Sequence, residues 1–164
     1  MFNKVLLPLD GSENSRKTWN YAKHLMDDQG ALVEFLYVNE DIWMDPQKTE
    51  CENGQCNIVN LFDTCENNVI EVGVEKSDRV LKKEAKICEI KTQVQDYFKD
   101  YSDKITMKVV NGNPAHQIMT VSKNQNFDVI IMSTHGVGAL KKLTLGSVTH
   151  KVVNHSEVPV LIVR

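Results

Sequence analysis

Five short apolar runs, each followed or preceded by a longer stretch of helical periodicity, constrain this chain more than any other feature. They lie at residues 4–9 (KVLLPL), 31–38 (ALVEFLYV), 105–110 (ITMKVV), 127–132 (FDVIIM) and 158–163 (VPVLIV). Runs of this length, rich in Val, Ile and Leu, read as strands, and near-continuous apolarity marks strands covered on both faces. Between them the apolar residues recur at helical spacing. Trp19, Ala22, Leu25 and Met26 form one such stripe, Ala115, Ile118 and Met119 with Ser122 a second, and Val148, Val152 and Val153 a third. This alternation folds as an α/β domain: an open five-stranded parallel sheet with helices on both faces. The 164 residues suit a single domain spanning 1–164.

Local signals set the boundaries. Pro8 cannot donate a ladder hydrogen bond and marks the end of the first strand. Ser12 is placed to cap a helix running to about Met26, and Gly30 ends that crossover. Ser77 is placed to cap a long helix to about Lys99. On it Val80, Leu81, Ala85, Ile87, Cys88, Ile90, Val94, Tyr97 and Phe98 fall in one broad arc, with Cys88 as a small core residue. Pro114 suits the first turn of the next helix. Pro159, near the start of the last strand, argues for an edge position.

Residues 39–76 break the pattern. The segment is long for a connection in a compact domain and holds Cys51, Cys56 and Cys65. Ile70, Val72 and Val74 alternate with polar residues and glycine, which suits an added edge strand or flap. The four residues between Cys51 and Cys56 are compatible with half of a zinc site, but the segment contains no histidine. A Cys51–Cys56 disulfide is the stronger alternative, and unpaired thiols the first reading.

The densest chemistry lies at 127–148, FDVIIMSTHGVGALKKLTLGSV. A strand gives way abruptly to Ser133-Thr134-His135-Gly136, a loop follows, and a helix starts near Ser147. Glycines allow close approach of backbone to ligand, and successive N–H groups in such a loop form an anion-binding concavity. The helix start adds partial positive charge, and Ser147 can cap the helix or turn to a phosphate. On local chemistry alone, an ordinary strand-to-helix connection is the stronger reading. Neither G-x-x-x-x-G-K-[ST] nor a G-x-G-x-x-G opening a helix is present.

The stretch nevertheless resembles the nucleotide-binding segment of the universal stress protein family: a glycine, two residues, a glycine, nine residues, then Gly-Ser or Gly-Thr. Here nine residues separate Gly136 from Gly146, Ser147 follows, and Ser133 stands at the first glycine position. Pro8, Asp10, Gly11 and Ser12 match the family's first strand end, and Gly112-Asn113-Pro114-Ala115 also resembles it. The resemblance implies an adenine nucleotide alpha-hydrolase-like fold with strand order 3-2-1-4-5. It implies a site for ATP or another adenine nucleotide, with Mg²⁺ as an optional companion. Val38 and the end of the first strand, including Pro8, would meet the base, and Asp10 the ribose. Backbone groups around Gly136, Gly146, Ser147 and Val148 would hold the phosphates, with Met132, Ser133 and His135 beside them. Val38 reads equally well as a strand-end core residue. The family also implies a homodimer through the terminal strand, 158–163.

A net charge of −3 argues against nucleic acid as a partner. No run approaches the ~18–20 apolar residues of a membrane span, and no signal-peptide pattern opens the sequence. The expected location is the cytoplasm, where cysteines are mostly reduced. His135 is the obvious catalytic base, yet only Asp10 among the acids can be placed near it. A lone histidine in a binding loop more often contacts ligand or solvent. Lys141 and Lys142 read as solvated charges or as electrostatic support for phosphates. At most slow ATP hydrolysis is expected. Two alternatives stand beside nucleotide binding: a dimeric scaffold that binds no nucleotide, and a thiol redox or metal sensor built on the 39–76 insert.

Overall fold

The computed structural model describes residues 2–40, 78–134, 136 and 145–164, the side chains of 78–81 excepted. The expected extra strand and the Cys51–Cys56 pair lie outside the described residues, as do Ser77, His135, Lys141 and Lys142. The elements follow in the order β1 (Lys4–Leu9), α1 (Glu13–Gln29), β2 (Leu32–Asn39), α2 (Asp78–Tyr97), β3 (Ile105–Asn111), α3 (Pro114–Asn124), β4 (Val129–Ser133), α4 (Ser147–His155) and β5 (Val160–Val163). The five strands form one parallel sheet, ordered β3-β2-β1-β4-β5. Pro159 sits just outside β5, where its carbonyl accepts from Ile130 N–H at 2.9 Å, and β5 is an edge strand as expected.

Side chains alternate between the two faces with the strand period of two. Val5, Leu7, Val33, Phe35 and Ile131 point to one core, filled from α1 and α2 by Trp19, Ala22, Met26, Ile90 and Val94, and by Phe98 just after α2. Leu6, Leu36, Ile130 and Met132 point to the other, filled from α3 and α4 by Ala115, Ile118, Val121 and Val152. Right-handed crossovers produce this division: connections running toward β3 lay their helices on one face, and those running toward β5 on the opposite face.

The caps explain where the helices begin. The Ser12 hydroxyl accepts from Ser15 N–H at 3.1 Å, and Gly30 ends α1 in the left-handed region at φ 67°. Asn113 caps α3 by accepting from His116 N–H at 3.1 Å, and Pro114 occupies the first turn.

The buried arc of α2 is narrower than expected. Ile90, Val94 and Phe98 are buried, but Ala85 and Tyr97 are exposed. A 100°-wide stripe suffices for a helix lying on one sheet face, and the arc read from sequence exceeded it. Val153, expected inward on α4, is likewise exposed, with Val152 taking the core position. Cys88 is half-buried and disulfide-bonded rather than a free core thiol, its partner lying outside the described residues. Among the described residues, no helix is long and apolar enough to cross a membrane.

One polar group sits badly in this packing. Glu34, on the α3/α4 side of β2, pairs in register with Leu6 and Thr106, and its Oε1 is buried without a hydrogen-bond partner among the described residues. Burial raises its pKa, opposed by the charges of Lys108 and Lys4. A raised carboxyl pKa means that the folded state holds the proton more tightly than the unfolded chain. The stabilisation is complete below the ordinary glutamate pKa and is lost as pH rises through the folded value. Glu34→Gln is therefore expected to stabilise the protein at neutral pH by roughly 0.5–1 kcal/mol, a figure discounted for partial exposure. The gain should vanish in mildly acid solution. Urea midpoints of both proteins at the two pH values check this, and an equal gain at both would refute the assignment to ionisation.

Candidate functional site

The two central strands part at their carboxyl ends. The β1–β2 ladder runs from Lys4↔Leu32 to Leu9↔Tyr37, whereas the β1–β4 ladder holds only Val5↔Val129 and Leu6↔Ile130. Pro8, two residues further along β1, brings no N–H to either ladder. From this point α1 leaves toward one face and α4 toward the other. Open α/β sheets bind their ligands at such a switch point.

Asp10 stands at its edge, directly after β1. Its Oδ1 accepts from Ser12 N–H at 2.9 Å, so the turn that starts α1 also fixes the carboxylate. Gly11, between them, is in the left-handed region at φ 79°, and α2 packs closely over it through Ile90 and Lys86. The other carboxylate oxygen, Oδ2, points across the crevice at Gly136. A Cβ built on Gly136 would overlap that oxygen and lie 3.4 Å from Asp10 Cγ. The carboxylate thus occupies the volume that any side chain at 136 would need. Residues from distant parts of the sequence meet here by direct contact.

The far side of the crevice is built from backbone. Ser133 closes β4, and its carbonyl accepts from the Thr149 hydroxyl at 3.1 Å. Among the described residues, Asn126 alone of the non-glycines has positive φ. Serine in place of the family glycine at 133 therefore costs no left-handed conformation. Thr134 N–H donates to Val163 O at 3.0 Å, and its own carbonyl accepts from Gly146 N–H at 2.8 Å. Gly146 is the N-cap of α4, at φ −58°, and offers no side-chain cap; the first intrahelical bond runs from His150 N–H to Gly146 O. Ser147, read from sequence as a capping residue, is instead the first residue of the helix. The N–H groups of Ser147 and Val148 precede that first bond and are available to an anion.

The remaining expected positions flank this centre. Pro8 is half-buried in β1, and Met132 is buried at the end of β4. Val38 is half-buried near the end of β2, paired with Val110 and packed on the α3/α4 core. Its structural role is therefore filled whether or not it also faces a ligand. Thr134 and Thr149 were missed by the sequence reading. Thr149 lies between Val148 and Val152 on the inward side of α4. A hydroxyl there has to find an acceptor, which is the signal that could have exposed it.

A doubly wound parallel sheet with a carboxylate and an uncapped helix start facing one crevice defines a class of small-ligand-binding α/β domains. The chain belongs to the universal stress protein family, whose model matches residues 1–164. It is 32% identical over 165 residues to the universal stress protein YxiE of Bacillus subtilis, covering 100% of both chains. It is 28% identical over 170 residues to the universal stress protein MJ0577 of Methanocaldococcus jannaschii, covering 100% of this chain and 96% of that one. The solved MJ0577 structure shares the fold at TM-score 0.64, with 24% identity over 99% of this chain and 96% of that one. A universal stress protein solved in complex with cAMP shares it at TM-score 0.57, with 14% identity, over 99% and 97% of the two chains.

Proposed function

We propose that this universal stress protein binds an adenine nucleotide in the crevice between β1 and β4 and acts as a regulatory module rather than as an enzyme. The observation that carries the reading is the packing of the Asp10 carboxylate against Gly136, opposite the uncapped start of α4. A carboxylate repels phosphate but accepts well from paired hydroxyls, so Asp10 suits a ribose. The N–H groups of Gly136, Ser147 and Val148 suit the phosphates, with Gly146, whose own N–H donates to Thr134, setting the helix start beside them. Pro8 and Val38 offer apolar surface for the base, and Met132 and Ser133 line the β4 side. His135 is assigned ligand contact. ATP, with or without Mg²⁺, fits this division of labour, and the cAMP complex of a structural relative supports an adenine ligand.

The same reading includes a homodimer through the terminal strand. β5 is a sheet edge that pairs only with β4 among the described residues. Its Leu161 is 41% exposed beside Leu145 and Tyr21, which are also exposed and line the same cleft. An open apolar edge of this kind is suited to a second strand.

Mass spectrometry of small molecules released from freshly purified protein, run beside size exclusion, tests both parts. Release of an adenine nucleotide from a dimer is the expected result. An empty dimer that ATP and AMP fail to stabilise at millimolar concentration would leave the scaffold reading in its place. The disulfide at Cys88 favours one further reading, a thiol redox role. A thiol count under denaturing conditions decides it. Four reactive thiols without reductant and no bound metal would dismiss that role.

A further inference from the structure

We infer that nucleotide occupancy and the exposed edge of β5 are thermodynamically coupled through Thr134, so that ligand binding strengthens association of two copies through that edge. The inference rests on the nucleotide-binding and dimer readings above and adds the regulation that joins them.

Thr134 is a backbone junction. Its N–H holds the carbonyl of Val163, the last residue of β5, and its carbonyl holds the N–H of Gly146, the residue that starts α4. In the same peptide unit as the Thr134 N–H, the carbonyl of Ser133 accepts from the hydroxyl of buried Thr149, the third residue of that helix. The helix start that would grip phosphate is thus joined to the end of the edge strand by two hydrogen bonds in series, Gly146 to Thr134 and Thr134 to Val163. The side chains repeat the connection. A cleft of about 650 Å³ beside β5 is lined by Thr134 and Leu145 as well as by Tyr21, Leu161 and Val163. Leu145 immediately precedes Gly146, so any adjustment of Gly146 to a ligand moves a wall of that cleft.

The sign follows from ordering. A phosphate held by the N–H groups of Ser147 and Val148 orders the first turn of α4, and so holds Gly146 in its hydrogen bond to Thr134, the Thr134 bond to the end of β5, and Leu145. A surface already fixed loses less freedom when a second copy docks on it, which favours association. Coupling is reciprocal: the paired edge must raise nucleotide affinity by the same factor.

The experiment is sedimentation velocity on the full chain across a dilution series, without nucleotide and with saturating ATP. ATP should lower the dimer dissociation constant at least about fivefold, the lower end of ordinary coupling. Leu161→Asp, placed on the edge and outside the crevice, should be a folded monomer by circular dichroism and should bind ATP at least about fivefold more weakly in calorimetry. ATP binding with an unmoved dimer constant, and equal affinity in Leu161→Asp, would overturn the coupling while leaving the nucleotide reading intact. A chain that takes up no ATP, or that stays monomeric at every concentration, would overturn the coupling together with the part of the reading it contradicts.

Discussion

Gly136→Val is expected to remove half or more of the nucleotide-induced stabilisation while leaving the unliganded fold in place. The Cβ of any residue at 136 collides with Asp10 Oδ2, and the carboxylate is the group that must move, because the Ser12 N–H bond holding it is easier to break than the sheet. Loss of a charged hydrogen bond to a ribose hydroxyl is worth about 1.5–3 kcal/mol, which weakens binding roughly 10- to 100-fold. At a concentration about 100 times its Kd, a ligand stabilises the folded state by about 2.7 kcal/mol. For a domain of this size that is a rise in Tm of roughly 5–10 °C. The variant should lose roughly half of that rise for a 10-fold weakening and about five-sixths of it for a 100-fold one. Asp10→Ala removes the obstacle as well as the contact. Combining it with Gly136→Val should therefore cost little beyond either change alone, since neighbours in contact are not additive. Thermal scans with and without ATP, on all four proteins, read the cycle. A fully additive loss would mean that Asp10 and Gly136 act on the ligand separately.

Phe35→Ala should produce the largest loss of stability of any single truncation in the sheet. Phe35 is fully buried in β2, between Leu7 and Met107 by register, with Phe98 at 5.2 Å and Trp19 at 6.3 Å between ring centroids. It joins the sheet to α1 and α2 at once, so its removal leaves a void that no single element can collapse to fill. Phenylalanine-to-alanine changes in such sites cost about 3–5 kcal/mol, which is a fall in Tm of roughly 6–20 °C for a chain of this length. Urea unfolding should show a lower midpoint with an unchanged slope. A loss under about 1.5 kcal/mol would show that the aromatic cluster repacks around the gap.

The sheet and its order were accessible from sequence because the strands are buried on both faces and carry almost uninterrupted apolar runs, with Pro8, Gly30, Pro114 and Pro159 punctuating them. The strand order came from family resemblance rather than from periodicity, since an alternation of strand and helix fits more than one winding. Asp10 and the Ser133–Gly136 loop were expected to meet at the switch point between the first and fourth strands, and they do; what no local pattern records is that the Asp10 side chain fills the volume of the one Gly136 lacks. The helix start at Ser147 was read correctly, but the capping role offered for its hydroxyl was not, since Gly146 is the N-cap and supplies no side chain. Ser133 stands at the motif's first glycine position, and the extended backbone there shows that glycine's freedom is not needed. The width of the α2 arc misled because spacing alone reports which residues could share a face, not how much of that face the sheet covers.

The early end of the β1–β4 ladder bears on how the crevice comes into being. Its two walls are contributed by the first strand and by the fourth strand with the helix after it, and most of the chain lies between them. Along the chain β2 and β3 come between β1 and β4, and in the sheet they lie on the other side of β1. A chain stopped after β3 would carry Asp10, Pro8 and Val38 and still have no crevice, since nothing would stand opposite the carboxylate. The binding surface is therefore not encoded in any one segment. It is a property of the finished sheet, and a nucleotide held there is held only by a chain that has completed its fold.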